Sequence, residues 1–458
     1  MAIRRILIAN RGEIAVRVMR TCKALGIETV LAASEADLDS LPAHLADRTI
    51  CIGPGRASDS YLQVETIVQA ALGVKADAIH PGYGFLSERP ALARVCEQEG
   101  VIFIGPTAVQ IEAVGDKLRA RAEAEAAGIP TAPGGAVETA GEALTLGREI
   151  GPPLLIKAVG GGGGRGMKRV DRLEDLPAAM DMAAAEAGAA FGDARVYLER
   201  FVGRGRHVEV QILGDGKGGV IHLGERDCSV QRRYQKLIEE TPAPGLSKDF
   251  RKRIQDAAVQ FTERLSYRSA GTVEFLVDVD RDAFYFLEMN ARIQVEHPIT
   301  EAVSGVDIVA EQIAVAEGGG LTLEQRDVRR EGCAIECRIN AEDPARDFHP
   351  SPGTVREAVW PSGEGVRVDT YITSGARVPP FYDSLMAKII VHAAARPLAL
   401  ERMQRALAST KIDGVCTNLA FHEEVLGDAE FQEGGVDTSY LPRFLERQRV
   451  RQEARAHG

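Results

Sequence analysis

Five consecutive glycines, Gly160 through Gly164, stand between two short strand-like runs, Leu154-Leu-Ile-Lys157 and Met167-Lys-Arg-Val170. Glycine loses more backbone freedom on ordering than any other residue, so ordinary structure avoids such a run. It suits a flap that stays mobile and brings backbone N–H groups against phosphate oxygens. The flanking cations Lys157 and Arg165 fit the same use. No Gly-Lys-Ser/Thr follows, and the run leads into a strand rather than a helix, so it is not a Walker loop.

The rest of the chain supplies a scaffold of alternating strands and helices. Ile6-Leu-Ile-Ala9 reads as a buried parallel strand, followed by a turn at Asn10-Arg-Gly-Glu13. An amphipathic helix over 14–24 then ends at Gly26, and 29–33 begins the next strand. Asn-Arg-Gly-Glu is not Gly-x-Gly-x-x-Gly, so dinucleotide binding is not indicated. Ala76-Asp-Ala-Ile79 runs into His80-Pro-Gly-Tyr-Gly-Phe-Leu-Ser-Glu88. That segment reads equally as a ligand loop at a strand's C-terminal end or as a plain turn. Beyond about 114, helices over 119–127 and 176–190 interrupt strands over 154–157, 196–199 and 208–212. A third region follows from about 336, with a strand over 334–339, a helix over 397–407 and a charged terminal helix over 445–457. A length of 458 residues suggests about three domains.

Two patterns carry chemistry. Val273-Glu-Phe-Leu-Val-Asp-Val279 and Ala283-Phe-Tyr-Phe-Leu-Glu-Met-Asn290 flank Asp280-Arg-Asp282 and read as an antiparallel hairpin. A turn centred on Arg281 sets Glu274 directly opposite Glu288; a centre one residue away would put them on opposite faces. Facing carboxylates call for a cation, here magnesium or manganese arriving with nucleotide phosphates. The second strand then continues through Glu288, Asn290, Arg292, Gln294 and Glu296, with Met289, Ala291, Ile293 and Val295 between them. This period-two alternation makes one polar face: a carboxylate and an amide for metal, a guanidinium for an anion, and a carboxylate base beyond it. Two weaker patterns accompany these. Glu225-Arg-Asp-Cys-Ser-Val-Gln-Arg-Arg-Tyr-Gln-Lys236 is otherwise a solvated charged loop, with Cys228 reading equally as a small packing residue or a reactive thiol. Glu336-Cys-Arg338-Ile-Asn340 puts Arg338 on a polar face, where alone it reads as a salt-bridge residue.

Composition excludes several classes. Lys and Arg total 55 against 66 Asp and Glu, a net charge of −11 that disfavours nucleic acid as a partner. The seven cysteines are scattered with no Cys-x-x-Cys pair, which indicates neither a disulfide framework nor a zinc site and fits a reducing cytoplasm. No stretch approaches the roughly 20 apolar residues of a membrane span, and the N-terminal apolar run is too short for a signal peptide. A cytoplasmic protein with no membrane anchor is expected.

Taken together, these motifs resemble the biotin carboxylases of the ATP-grasp superfamily over about residues 3–445. The matching segments are Ile8-Ala-Asn-Arg-Gly-Glu-Ile14, His80 to Glu88, Lys157 to Met167, Glu225-Arg-Asp-Cys-Ser229, Glu288 to Pro298 and Glu336-Cys-Arg-Ile-Asn-Ala-Glu-Asp343. The resemblance implies a chain of α/β and α+β class with an ATP-grasp fold. Its parts would be an N-terminal doubly wound, Rossmann-like domain (1–113), an ATP-grasp domain (114–335) with a mobile lid at about 131–203, a C-terminal mixed α+β domain (336–446) and a charged tail (447–458).

It also implies roles. Lys117 and Lys157 would hold the phosphates of ATP, with Gly163, Gly164 and Met167 over them. Glu199, Arg200, Phe201 and Val202 would form the hinge that reads adenine, with His207 and Gln231 on the ribose side and Tyr234 nearby. Glu274, Glu288 and Asn290 would hold Mg2+ or Mn2+. Lys236, Arg292, Gln294 and the Val295 backbone would bind bicarbonate, Glu296 would deprotonate it, and Arg338 would stabilise the biotin enolate. The implied reaction passes through carboxyphosphate to carboxybiotin on a biotin carboxyl carrier protein. With no Met-Lys-Met attachment motif in this sequence, carrier and carboxyltransferase subunits would be separate partners, and a homodimer is implied. Departures are Tyr234 where the family usually has His, Arg200 where it often has Lys, Arg89 in place of Asn, and Ala24 and Glu364 near the family's dimer contact. Two other readings are another ATP-grasp carboxylate-activating ligase, which should lack Arg292 to Glu296 and Arg338, and a non-catalytic nucleotide-binding regulator. The final carboxyl acceptor is not encoded here.

Overall fold

Ile6, Leu7 and Ile8 are fully buried, as a strand covered on both faces must be. In the computed structural model, which describes residues 2–160 and 166–456, this strand lies mid-sheet. Five parallel strands run in the order Arg48–Cys51, Glu28–Ala33, Arg5–Ile8, Ala78–His80, Ile102–Phe103. The helix Gly12–Leu25 stops at Gly26, whose φ of 72° suits glycine. Loops following Arg5–Ile8 and Ala78–His80 lie side by side, because the Asn10 side-chain amide donates to the Pro81 and Tyr83 carbonyls at 2.7 Å each.

The central layer is an eight-stranded sheet in the order Ala283–Asn290, Arg268–Asp278, Gly205–Asp215, Val220–Arg232, Gln235–Thr241, Cys333–Asn340, Leu385–Ala393, Val366–Thr370. Every neighbouring pair is antiparallel. The expected border between 335 and 336 falls inside Cys333–Asn340, which pairs with Gln235–Thr241 on one side and Leu385–Ala393 on the other. The C-terminal strands therefore extend the central sheet.

A third, smaller layer is antiparallel: Gly134–Val137, Val196–Arg200, Leu154–Ala158, Met167–Val170. Helices Ala140–Ile150 and Leu176–Phe191 pack on it around a core that includes Val137, Leu154, Ile156, Val170, Leu176 and Leu198. Its apolar interior is separate from the main cores, which makes it a self-contained unit. Gly163, Gly164 and Arg165 of the glycine run lie outside the described residues. Among the described residues, no helix is long and apolar enough to cross a membrane.

Candidate active site

Three glutamates stand in a row across the central sheet. Glu288 pairs with Glu274, and Glu274 pairs with Glu209 on the next strand. Directly opposed residues of antiparallel strands share a face. The Glu274–Glu288 pair forms as expected, but not because the turn centres on Arg281. Near the turn Asp278 faces Ala283 and Phe275 faces Phe286, a register centred half a residue earlier. A bulge then leaves Leu287 without a partner and brings Glu288 opposite Glu274.

Like charges in such a row need cations. The Lys236 ammonium donates to Glu209 at 2.5 Å, Glu296 at 2.7 Å and Glu274 at 2.9 Å. His207 Nε2 lies 3.0 Å from Glu274, and Lys117 Nζ lies 3.2 Å from Glu288. The fully buried Arg226 donates from Nε to Glu209 at 2.6 Å. Burial opposes the charge on Lys236, but Glu209, Glu274 and Glu296 outweigh it and hold the ammonium pKa well above its usual value. Burial likewise opposes ionisation of Glu274, and Lys236 with His207 reverses that, keeping it well below the usual carboxylate range. At Glu296 the same contest is won by Lys236, Arg338 and Arg226. Glu209 goes the other way, pushed up by burial and by Glu296.

The polar alternation from Glu288 to Glu296 is not one strand. The strand ends at Asn290, residues 291–296 are irregular, and Glu296 occupies the N-cap position of helix His297–Ser304. Asn290 and the two glutamates are poor strand formers, and the side chains of Asn290, Arg292 and Gln294 bond one another instead of lining up beside a ladder. Arg292 donates to Gln294 Oε1 at 2.6 Å, to Asn290 Oδ1 at 3.0 Å and to Glu88 at 2.7 Å. His297 Nδ1 lies 2.7 Å from the Gln294 carbonyl, and Lys388 donates to the Val295 carbonyl at 2.8 Å. Glu296 is thereby fully buried rather than exposed on a strand face. Its second oxygen takes a bond from Arg338 at 2.9 Å, while Arg338 Nε donates to Glu239 at 2.6 Å. Burial, opposed by Arg338 and assisted by Glu296, pushes the Glu239 carboxyl up to about 7.

At the other end, Lys117 opens the helix Lys117–Ala126, whose first turn is capped by the Asp116 carboxylate. Lys157 donates to Glu199 at 2.5 Å, and Arg121 donates to the same carboxylate at 2.9 Å. The Arg200 and Phe201 N–H groups donate to the Pro133 and Pro153 carbonyls, and Val202 is buried beside them. The segment from Glu225 to Lys236 is a buried hairpin, not a solvated loop: Glu225 and Arg226 are fully buried. Gln231 lies 3.0 Å from His207 and donates to the Cys228 carbonyl. Arg233 and Tyr234 form its two-residue turn, both at positive φ, and Tyr234 is 55% exposed. Cys228 is fully buried, and burial raises its thiol pKa well above the usual value, which suits packing rather than reactivity.

A single cavity of about 880 Å³ runs along this face, and every candidate site residue among the described ones lines it. Beside Lys117, Lys157, Glu274 and Glu288 its walls include the apolar residues Leu155, Met167, Phe201, Val202, Leu276 and Leu287. A volume of this order with an apolar slot and a few converging charges accommodates a nucleotide. Hard carboxylate oxygens beside the lysines are the donors magnesium or manganese requires, so the residues present fit both groups. The sequence reading missed Glu88, Glu209, Glu239 and Lys388. A signal existed for Glu209, in the alternation His207-Val-Glu-Val-Gln211, and for Lys388, a lone cation in an apolar strand. Glu239 carried none.

The comparisons with known proteins agree over nearly all of the chain. Family models match residues 2–111 (biotin carboxylase, N-terminal domain), 116–324 (carbamoyl-phosphate synthase L chain, ATP binding domain) and 336–443 (biotin carboxylase C-terminal domain). The chain is 50% identical over 444 residues to the biotin carboxylase of Pseudomonas aeruginosa, covering 96% of this chain and 98% of that one. A crystal structure of the biotin carboxylase domain dimer of Hydrogenobacter thermophilus 2-oxoglutarate carboxylase, in complex with MgADP, ADP and bicarbonate, is 45% identical. It superposes with a TM-score of 0.93 over 97% of this chain and 98% of that one. The Campylobacter jejuni biotin carboxylase–β,γ-ATP complex is 44% identical, with a TM-score of 0.94 over 96% and 99% of the two chains.

Proposed function

The chain belongs to the biotin carboxylase family, and from that premise we propose that this cleft carboxylates biotin, held on a biotin carboxyl carrier protein, using bicarbonate and ATP. The observation that carries the reading is the position of Glu296, fully buried between Lys236 and Arg338. It joins the Glu274–Glu288 end of the cleft to Arg338.

In this reading Lys117 and Lys157 bind the phosphates of ATP, with Gly163, Gly164 and Met167 over them. The segment Glu199, Arg200, Phe201 and Val202 meets the base, His207 and Gln231 face the ribose, and Tyr234 stands at the rim. Glu274 and Glu288, with Asn290, hold magnesium or manganese, which when bound neutralises charge on the transferring phosphoryl group. Arg292, Gln294, Lys236 and the Val295 N–H hold bicarbonate. Glu296 takes its proton, being kept in the acceptor form by its two cations. As a bound anion draws Lys236 and Arg338 toward itself, Glu296 loses the neighbours that hold its pKa down and becomes a stronger base. Bicarbonate oxygen then attacks the γ-phosphorus, releasing ADP and forming carboxyphosphate, which breaks down to carbon dioxide and phosphate. Phosphate accepts the N1′ proton of biotin, and Arg338 stabilises the enolate that captures carbon dioxide.

The further parts of the reading are the domain division given above with a lid at 131–203, a cytoplasmic location, homodimerisation, and a carboxyltransferase partner that selects the acceptor. A nucleotide-binding regulator has no use for a buried Glu296 paired with Arg338 in the cleft wall, which favours the enzyme. The test is ADP release measured with and without bicarbonate and free biotin. Stimulation by both is expected; turnover indifferent to both would sink the carboxylase, and none at all would favour the regulator.

A further inference from the structure

Two motifs prominent in the sequence, Asn10-Arg-Gly-Glu13 and His80 to Glu88, have no part in the reaction above, yet both reach the loop 291–296. Glu88 accepts from the Ala291 N–H at 3.1 Å and from Arg292. Glu13 reaches it through Lys388. That lysine is fully buried in the strand Leu385–Ala393, with apolar residues from Leu385 to Val391 on either side of it. Its ammonium donates to the Val295 carbonyl at 2.8 Å and lies 3.0 Å from Glu13. Glu13, also buried, accepts the hydroxyl of Tyr83, whose ring lines the cleft.

A buried ion pair is poor stabilisation, since apolar side chains of similar size usually do as well or better. Packing alone therefore gives no reason for a lysine here. The Val295 carbonyl does: it sits in an irregular loop with no ladder to join, and an unpaired buried carbonyl is costly. Across the sheet Lys388 is opposed by Arg338 on one side and Asp369 on the other, so its charge is held in register with one residue the reaction uses, Arg338.

We propose that Lys388, anchored by Glu13, is a positioning residue for the bicarbonate site. It fixes the Val295–Glu296 peptide, and with it the Val295 N–H and the Glu296 carboxylate, while Glu13 sets the Tyr83 wall. The proposal rests on the bicarbonate reading above. The test compares Lys388→Met/Glu13→Gln with Lys388→Gln/Glu13→Gln, both of which remove the buried charges; only the second keeps an N–H donor for Val295. Thermal midpoint and ADP affinity report folding and the nucleotide end. Bicarbonate-dependent ADP release reports KM and kcat separately.

Expected is a bicarbonate KM raised about tenfold or more in the Met variant and largely recovered in the Gln variant, with ADP affinity unchanged in both. Equal bicarbonate KM values in the two variants, or values within about twofold of wild type in both, would overturn it. Should the Met variant not fold, Glu13→Gln alone frees Lys388 from its anchor. A rise of about threefold in bicarbonate KM then supports the proposal and an unchanged KM overturns it. Wild-type turnover that ignores bicarbonate would be a failure of the carboxylase reading, seen before any variant is made.

Discussion

Replacing Lys236 by Met removes the ammonium that Glu209, Glu274 and Glu296 share and leaves three buried carboxylates facing one another. Acceptor atoms of Glu209 and Glu274 lie within 4.8 Å, as do those of Glu209 and Glu296. Two unit charges at that distance repel by about 3.5 kcal/mol at an effective dielectric of about 20. Stripping one partner from a buried pair costs about 3–5 kcal/mol, so a loss of that size is expected at about pH 8. The loss should shrink at lower pH. In the wild type, Glu274 and Glu296 are held below the ordinary carboxylate value, so their stabilisation is present above about pH 4.5 and disappears as pH falls. In the variant, burial and mutual repulsion push the same carboxyls up. The folded state then holds protons the unfolded chain has released, and its stability falls as pH rises from about 4.5. Urea unfolding of both proteins at about pH 6 and about pH 8 measures the gap. A gap below about 1 kcal/mol at about pH 8, or gaps of equal size at the two pH values, would refute this account of the charge cluster.

Glu239, pushed up to about 7 behind Arg338, should put an ionisation near that pH into the rate of biotin carboxylation, and Glu239→Gln should remove it. Its folded value lies above the unfolded one, so wild-type stability relative to the variant should fall as pH rises from about 4.5 to about 7; a pH-independent difference would show that it does not titrate there. Tyr234, at a φ of 66° in a two-residue turn, should gain about 0.5–1 kcal/mol on replacement by Asn, which tolerates that backbone. Thermal midpoints measure this, and ATP titration of the same variant should stay within about threefold, as expected for a rim residue; a larger loss would make the phenol a main nucleotide contact.

Much of this protein is written locally. The apolar run Ile6-Leu-Ile, the stop at Gly26 and the alternation through Glu274 and Glu288 are patterns of backbone period and turn chemistry that a short window contains, and the structure forms each of them. The motif set also sufficed to identify the family. The alternation beyond Asn290 misled, because period two specifies a strand only where a neighbouring strand offers a ladder, and past Asn290 none does. What surrounds Glu296 comes from far along the chain: Lys236 is 60 residues away, Arg338 42, and Val295 meets Lys388 across 93. Glu239 meets Arg338 across 99 residues with no periodic signal of its own. Sequence alone determined the first buried strand, the stop at Gly26, the pairing of Glu274 with Glu288 and the chemical types of the residues it named. Which carboxylates share a cation, and so which are held ionised and which are pushed toward their neutral form, was decided only by the order of strands in the sheet, because burial and charge act through space and not along the chain.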